Sequence, residues 1–252
     1  MSDSFRLRQL TKRAIRTWYW LWTRRLEVGA VDIARSDYKR TWQHLSERET
    51  DAVMYVASTT DRDELQRAAT YTRALLERHV GLRQNDVVLE IGCGVGRVGA
   101  EIAPSVREWI GTDIASNMLA HAARRLAHLG NVRFVELHDV GLAEIPDNSI
   151  DVVYCTVVFM HISEWERFSY IEEARRVLRP GGRLYVDNIS LCTGYGWDFF
   201  QSSRARSPET RPPQIGQTST PQEFEVYFRK AGFTEFTVQE IDDAWVVGTA
   251  VK

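Results

Sequence analysis

Val88-Leu89-Glu90-Ile91-Gly92-Cys93-Gly94-Val95-Gly96-Arg97 decides the fold. An apolar strand runs straight into Gly-x-Gly-x-Gly and then into a helical pattern, so the backbone can approach a ligand closely with helix amides facing it. The spacing departs from the dinucleotide fingerprint Gly-x-Gly-x-x-Gly, because Gly96 comes one position early and Arg97 follows. Glu90, just ahead of the turn, would repel a pyrophosphate and suits a cationic ligand.

Outward from that segment the chain alternates strand and helix patterns, which implies a parallel sheet. Val87–Ile91, Trp109–Ile114, Val132–Val135, Val152–Val158 and Arg183–Asp187 read as five strands. The continuous apolar run of the fourth indicates burial on both faces. Between the strands lie a helix from Ser116 to Leu129 closed by Gly130, and another capped by Ser163 with Glu166 that stops before Arg179-Pro180-Gly181-Gly182. Residues 190–220, with three Pro and three Gly (Gly194, Gly196, Gly216), break the rhythm and read as an irregular loop. After a helix over Pro221–Ala231 stopped by Gly232, Phe233–Glu240 and Trp245–Val251 form a hairpin that adds an antiparallel edge.

Upstream of residue 81, the spacing Ser46…Glu49 predicts a capping box opening one helix. Asp61 to Val80 carries the pattern of another, with Gly81 as its stop. Residues 5–25 fit an amphipathic helix with Leu7, Leu10, Ala14, Ile15, Trp18, Leu21 and Trp22 on one face. The reading is thus a basic arm over 1–30, a helical lid over 31–80, and a core over 81–252 with an acceptor-side insertion at 190–220.

The 252 residues carry 32 Lys+Arg against 34 Asp+Glu, but residues 1–25 hold seven basic residues and one acid. The arm is therefore +6 and the remaining 227 residues −8, which speaks against a body-wide nucleic-acid surface. At 44% apolar and 26% charged the composition is that of a folded chain. No stretch approaches the ~18 apolar residues of a membrane span. Arg24 and Arg25 follow the short aromatic run of the arm, with no small-residue cleavage site, which reads against a secretory leader. Three scattered cysteines, Cys93, Cys155 and Cys192, suit reduced thiols and a cytoplasmic location.

With these motifs in this order, the chain from about residue 80 resembles the class I S-adenosylmethionine-dependent methyltransferases. The resemblance implies an α/β, doubly wound, Rossmann-like seven-stranded sheet of order 3-2-1-4-5-7-6 with the last strand antiparallel. It implies a cofactor site at Glu90, Gly92, Cys93, Gly94, Gly96 and Arg97, with Glu90 orienting the ammonium group of S-adenosyl-L-methionine. Asp113 would hold both ribose hydroxyls, Ile114 and Met118 the adenine faces, and Asp139 beside Val140 the adenine amino group. The motif Asp151–Ile162, with Thr156, belongs to the same pattern. His161, directly after strand four, is a candidate general base with packing as its alternative. Asp187-Asn188 at the end of strand five resembles the catechol-type O-methyltransferases, where the pair helps hold Mg2+; their further Asp after strand four is missing here, leaving His161 or Glu164 to substitute.

The sequence lacks the Asn/Asp-Pro-Pro-Tyr/Phe signature of nucleic-acid amino methyltransferases. Tyr195, Trp197, Phe199, Phe200, Arg204, Arg206 and Arg211 in the insertion suit a sugar or other polyhydroxylated acceptor. The expectation is O-methylation of a small molecule. The alternatives are a lipid or quinone methyltransferase that the arm recruits to membrane, and a non-catalytic protein of the same fold. The arm reads as a lid or homodimer contact, or as an interfacial helix.

Overall fold

The computed structural model describes residues 33–252; the basic arm over 1–30 lies outside them. Three helices come first, α1 (Tyr38–Leu45), α2 (Glu49–Ala57) and α3 (Arg62–His79), followed by β1 (Val87–Ile91), α4 (Arg97–Ile102), β2 (Glu108–Asp113), α5 (Ser116–Arg125) and β3 (Val132–Glu136). The chain continues through β4 (Ile150–Cys155), α6 (Glu164–Val177), β5 (Leu178–Ile189), α7 (Gly194–Arg204), α8 (Pro221–Ala231), β6 (Glu235–Ile241) and β7 (Trp245–Val251). The strands form one sheet in the order β3-β2-β1-β4-β5-β7-β6. β1 to β5 run parallel, and β7 lies antiparallel between β5 and β6. This is the expected order.

Side-chain alternation explains why the sheet is wound on both sides. Val87, Leu89, Ile91, Val153 and Leu184 pack with α6 and α8, through Ile171, Ala174, Phe224 and Phe228. Val88, Trp109, Val152, Tyr154 and Tyr185 face the other way, against Leu76, Val98, Ile102 and Leu126 of the first helical layer and its connections. A third cluster joins Ala52, Val53 and Leu65 to Val95, Ala115 and Met118, so α2 and α3 are fastened over the glycine turn.

Several local expectations change. β4 stops at Cys155, three residues early, because Val157 has φ +61 and a strand cannot pass through that conformation. Residues 190–220 are not irregular throughout: Thr193 accepts from the Gly196 amide at 3.0 Å and caps α7, whose Phe199 is buried against Met160 and Ile189. Ser46 opens no capping box. It ends α1, donating its hydroxyl to the Trp42 carbonyl at 2.6 Å, and α2 starts without a side-chain cap. Ser163 does precede α6, but its amide is taken by the Tyr38 hydroxyl (3.2 Å), which also donates to Glu166 (3.2 Å). α5 ends at Arg125, before Gly130. Gly81 and Gly232 stop their helices as expected, at φ +69 and +89.

Gly111 of β2 carries a packing constraint: a Cβ there would overlap the ring of Trp109, a fully buried side chain. Gly111→Ala should therefore lower the free energy of unfolding by about 1–3 kcal/mol, the range for overpacking a closed core. Urea denaturation checks it, and an unchanged midpoint would contradict the packing.

Candidate functional site

The carboxyl ends of β1, β2 and β4 and the helices α1 and α2 line one cleft. Its floor is the glycine turn. Gly92 and Gly94 take φ of +69 and +52, and a Cβ on Gly92 would overlap Val158, which packs directly over it. Side chains at these positions would meet both backbone strain and a neighbouring wall.

Asp113, at the end of β2, braces the turn. Its Oδ2 accepts from the Gly94 amide and its Oδ1 from the Ala115 amide, both at 2.9 Å. Burial raises its pKa to about 6, against the pull of the Ala115, Gly94 and Ile114 amides. A carboxylate offers roughly four lone-pair sites, more than these backbone amides occupy, so accepting capacity is left for a donor in the cleft, such as a ribose hydroxyl.

Glu90 is buried one strand away. The Tyr154 hydroxyl donates to its Oε2 at 2.5 Å and in turn accepts from Trp109 Nε1 at 2.9 Å. Burial pushes its pKa up to about 8, opposed by Tyr154 and by the Arg97 guanidinium. Arg97 stands among Glu90, Tyr154 and Asp187, and its Nη1 is buried without a partner. The floor thus offers an orphaned cationic donor beside carboxyls whose charge burial disfavours and a cationic ligand would stabilise. A zwitterionic amino acid carrying a further positive charge matches both features, so the residues fit S-adenosylmethionine.

Ile114, Met118, Val140 and Leu137 line the cleft as an apolar slot, with Cys93 and Thr156 also in its wall. Gly96 turns the chain into α4 at φ +72 without forming wall. Asp139, expected at the adenine amino group, is exposed; its Oδ1 accepts from the adjacent Val140 amide at 2.7 Å, and of the two Val140 lines the cleft.

His161, which also lines the cleft, is buried on a short 3-10 turn, Phe159–His161. Its Nδ1 lies 3.0 Å from the Gln214 carbonyl. A carbonyl only accepts, so Nδ1 carries the proton and Nε2 keeps its lone pair. Burial lowers the pKa of His161 to about 4, nearby Arg167 also lowers it, and the bond to Gln214 opposes them. Trp42 meets the imidazole edge to face, 4.9 Å between centroids.

Sequence reading missed Tyr38, Trp42, Tyr55 and Tyr170, all of which line the cleft. The signal available was Tyr38 and Trp42 four apart on one helix, with a second aromatic helix following. The insertion contributes differently from expectation. Among the described residues none of its aromatics or arginines lines the cleft; Phe199 is core, and Trp197 and Phe200 stack on each other at the surface. What it supplies is backbone: Gln214 holds His161, and Gln217 donates its amide to the Met160 carbonyl at 2.7 Å.

The metal expectation is also corrected. Asp187 spends Oδ1 on the Val157 amide (2.8 Å), and Asn188 spends its carbonyl oxygen on the Ile189 amide and its amide nitrogen on Ser219, both at 2.8 Å. Neither lines the cleft, and Glu164 is exposed. Among the described residues no three His, Cys, Asp or Glu converge. These residues do not fit a Mg2+ shell of converging oxygens. No helix among them is long and apolar enough to cross a membrane.

Residues 88–182 match the methyltransferase domain family. Phosphoethanolamine N-methyltransferase 1 of Caenorhabditis elegans is 29% identical over 160 residues, 63% of this chain and 32% of the relative. A probable S-adenosylmethionine-dependent methyltransferase of Mycolicibacterium smegmatis is 38% identical over 108 residues, 42% of this chain and 39% of the relative. The crystal structure of Haemonchus contortus phosphoethanolamine N-methyltransferase 2 with phosphomonomethylethanolamine and S-adenosylhomocysteine has a TM-score of 0.65 at 16% identity, covering 87% of this chain and 60% of that one. That likeness is one of fold. The chain spans 32% to 39% of the length of the curated relatives it matches first.

The Glu90 environment predicts a pH signature. Its folded pKa, about 8, lies above the unfolded value of roughly 4.3, so the folded state keeps a proton that the unfolded state has lost. The stabilisation is full below the unfolded value and is lost as pH rises through the folded one. Without cofactor, the wild type should lose stability relative to Glu90→Gln as pH rises from about 5 to 8, then level off. Thermal melts of both proteins across that range test this, and parallel curves would refute it.

Proposed function

We propose that this chain, which carries a class I S-adenosylmethionine-dependent methyltransferase domain, transfers the cofactor's methyl group to a hydroxyl of a small molecule. The observation that carries the reading is one cleft lined by Asp113, the glycine turn and His161, whose bond from Nδ1 to Gln214 leaves Nε2 unprotonated. S-adenosylmethionine supplies an electrophilic methyl on a sulfonium. Asp113 would hold the ribose diol, Gly92 and Gly94 admit the amino-acid portion, Arg97 take its carboxylate, and Ile114, Met118 and Val140 flank the adenine.

The chain's own contribution is mostly positioning, since an in-line displacement needs a near-attack geometry and a dry cavity. Tyr38, Trp42 and Tyr55 close the cleft from the helical side, and the aromatic wall suits an acceptor with an apolar face, such as a phenol or the C–H face of a sugar ring. The depressed basicity of His161 favours oxygen. A hydroxyl that has gained a methyl becomes a far stronger acid than imidazolium, so even a weak base takes its proton as the bond forms. An amine gives an ammonium product that is a weaker acid than this imidazolium, and His161 would have no proton to accept.

A second reading has one observation behind it. The same ring faces suit a cationic ammonium, and phosphoethanolamine N-methyltransferases are among the relatives.

Labelled S-adenosylmethionine incubated with fractionated cell extract will deliver the acceptor, and its pH profile separates the readings. For a hydroxyl acceptor, kcat/KM should level off above about pH 7 and fall in acid as Asp113, at about 6, and then His161, at about 4, take up protons. For an amine it would climb toward the amine's own pKa. His161→Ala should lower kcat by about 100-fold, the scale of a lost general base, with S-adenosylhomocysteine affinity unchanged. A variant of wild-type rate would remove His161 from the mechanism.

A further inference from the structure

We propose that Asp187 is a positioning residue for the acceptor side of the cleft, holding Val157 in a left-handed conformation from outside the cavity. For the meaning of "acceptor side" this rests on the methyl-transfer reading above; the conformational claim stands without it.

Val157 is β-branched, and at φ +61 its side chain crowds its own backbone. Such a conformation persists where surrounding structure over-determines it, and it is characteristic of functional sites. The Val157 amide donates to Asp187 Oδ1 at 2.8 Å. Asp187 is buried at the end of β5, which lies beside β4, and Cys155 pairs in register with Val186, its neighbour. The carboxylate therefore sits where the β4 chain must either run on as a strand or bend. Burial raises its pKa to about 7, opposed first by the Val157 amide it accepts from and then by the nearby Arg97.

The bend has a definite consequence for the site. Thr156, Val157, Val158 and His161 all line the cleft. Val158 packs over Gly92, where a Cβ would overlap it, and the Val158 carbonyl accepts from the His161 amide at 2.8 Å. Had β4 continued extended through residue 158, as its apolar sequence invites, this short turn could not place the imidazole in the cleft wall. Asp187 touches no space in the cleft, yet the acceptor wall is built on the residue it holds.

The first test uses substitutions at Val157 itself. At an ordinary φ, alanine is the more stabilising of the two small residues; in the left-handed region glycine is favoured because it lacks Cβ. Val157→Gly should melt above Val157→Ala, since both lose the same packing to within a methyl group. Alanine melting equal or higher would overturn the proposal. The second test reads the loop by NMR. Asp187→Ala should speed exchange of the Val157 amide at least tenfold and raise the His161 imidazole pKa by one unit or more, as water reaches the loosened turn. Asp187→Asn, which retains an accepting oxygen, should leave the amide protected, and Val157→Gly placed in the Asp187→Ala background should return His161 toward its low value. An Asp187→Ala protein with unchanged Val157 exchange and unchanged His161 titration would overturn the proposal. Should that variant fail to fold, the glycine and alanine comparison decides. None of these readouts needs the acceptor, so the proposal can fail or hold separately from O-methylation.

Discussion

The hydrogen bond from the Gly94 amide to Asp113 is the constraint on which the site depends. It ties the glycine turn after β1 to the end of β2, and a second bond from Ala115 fixes the other oxygen. A buried carboxylate costs several kcal/mol unless its lone pairs are used, and here backbone amides use only part of them. The remainder faces the cleft. One side chain therefore both shapes the turn and stays chemically unsatisfied toward a ligand, which is the condition a preorganised diol site needs.

Behind that bond lies a polar inlay in an otherwise apolar sheet face. Trp109, Tyr154 and Glu90 form a chain of donors and acceptors, and Arg97 sits between Glu90 and Asp187. One guanidinium serves these buried carboxyls, so burial raises the pKa of Glu90 to about 8 and of Asp187 to about 7. The same network reaches both parts of the site. Glu90 and Arg97 face the glycine floor, while Asp187 holds Val157 and, through it, the turn that carries His161.

The parts legible in the sequence were those fixed by local chemistry. Continuous apolar runs between helical patterns mark the strands, and the glycine turn and the acid ending β2 are contiguous in sequence with the elements that aim them. What escaped depended on distant partners. His161 is oriented by a carbonyl 53 residues away, and the Tyr38 and Trp42 rings join the cleft only because α1 and α2 fold back over the glycine turn. Val157 misled because valine is a strong strand former, and only Asp187, on another strand, makes the bend tenable. Asp187 and Asn188 suggested a metal for the same reason: their true partners, Val157, Ile189 and Ser219, are not visible from composition or spacing alone.

The most direct measurement is calorimetric titration of the wild type and of Asp113→Ala with S-adenosylhomocysteine. Saturable one-to-one binding to the wild type, weakened at least tenfold in the variant, is the predicted result. Absence of binding to the wild type, or equal affinity for both proteins, would contradict the assignment of this cleft to the cofactor.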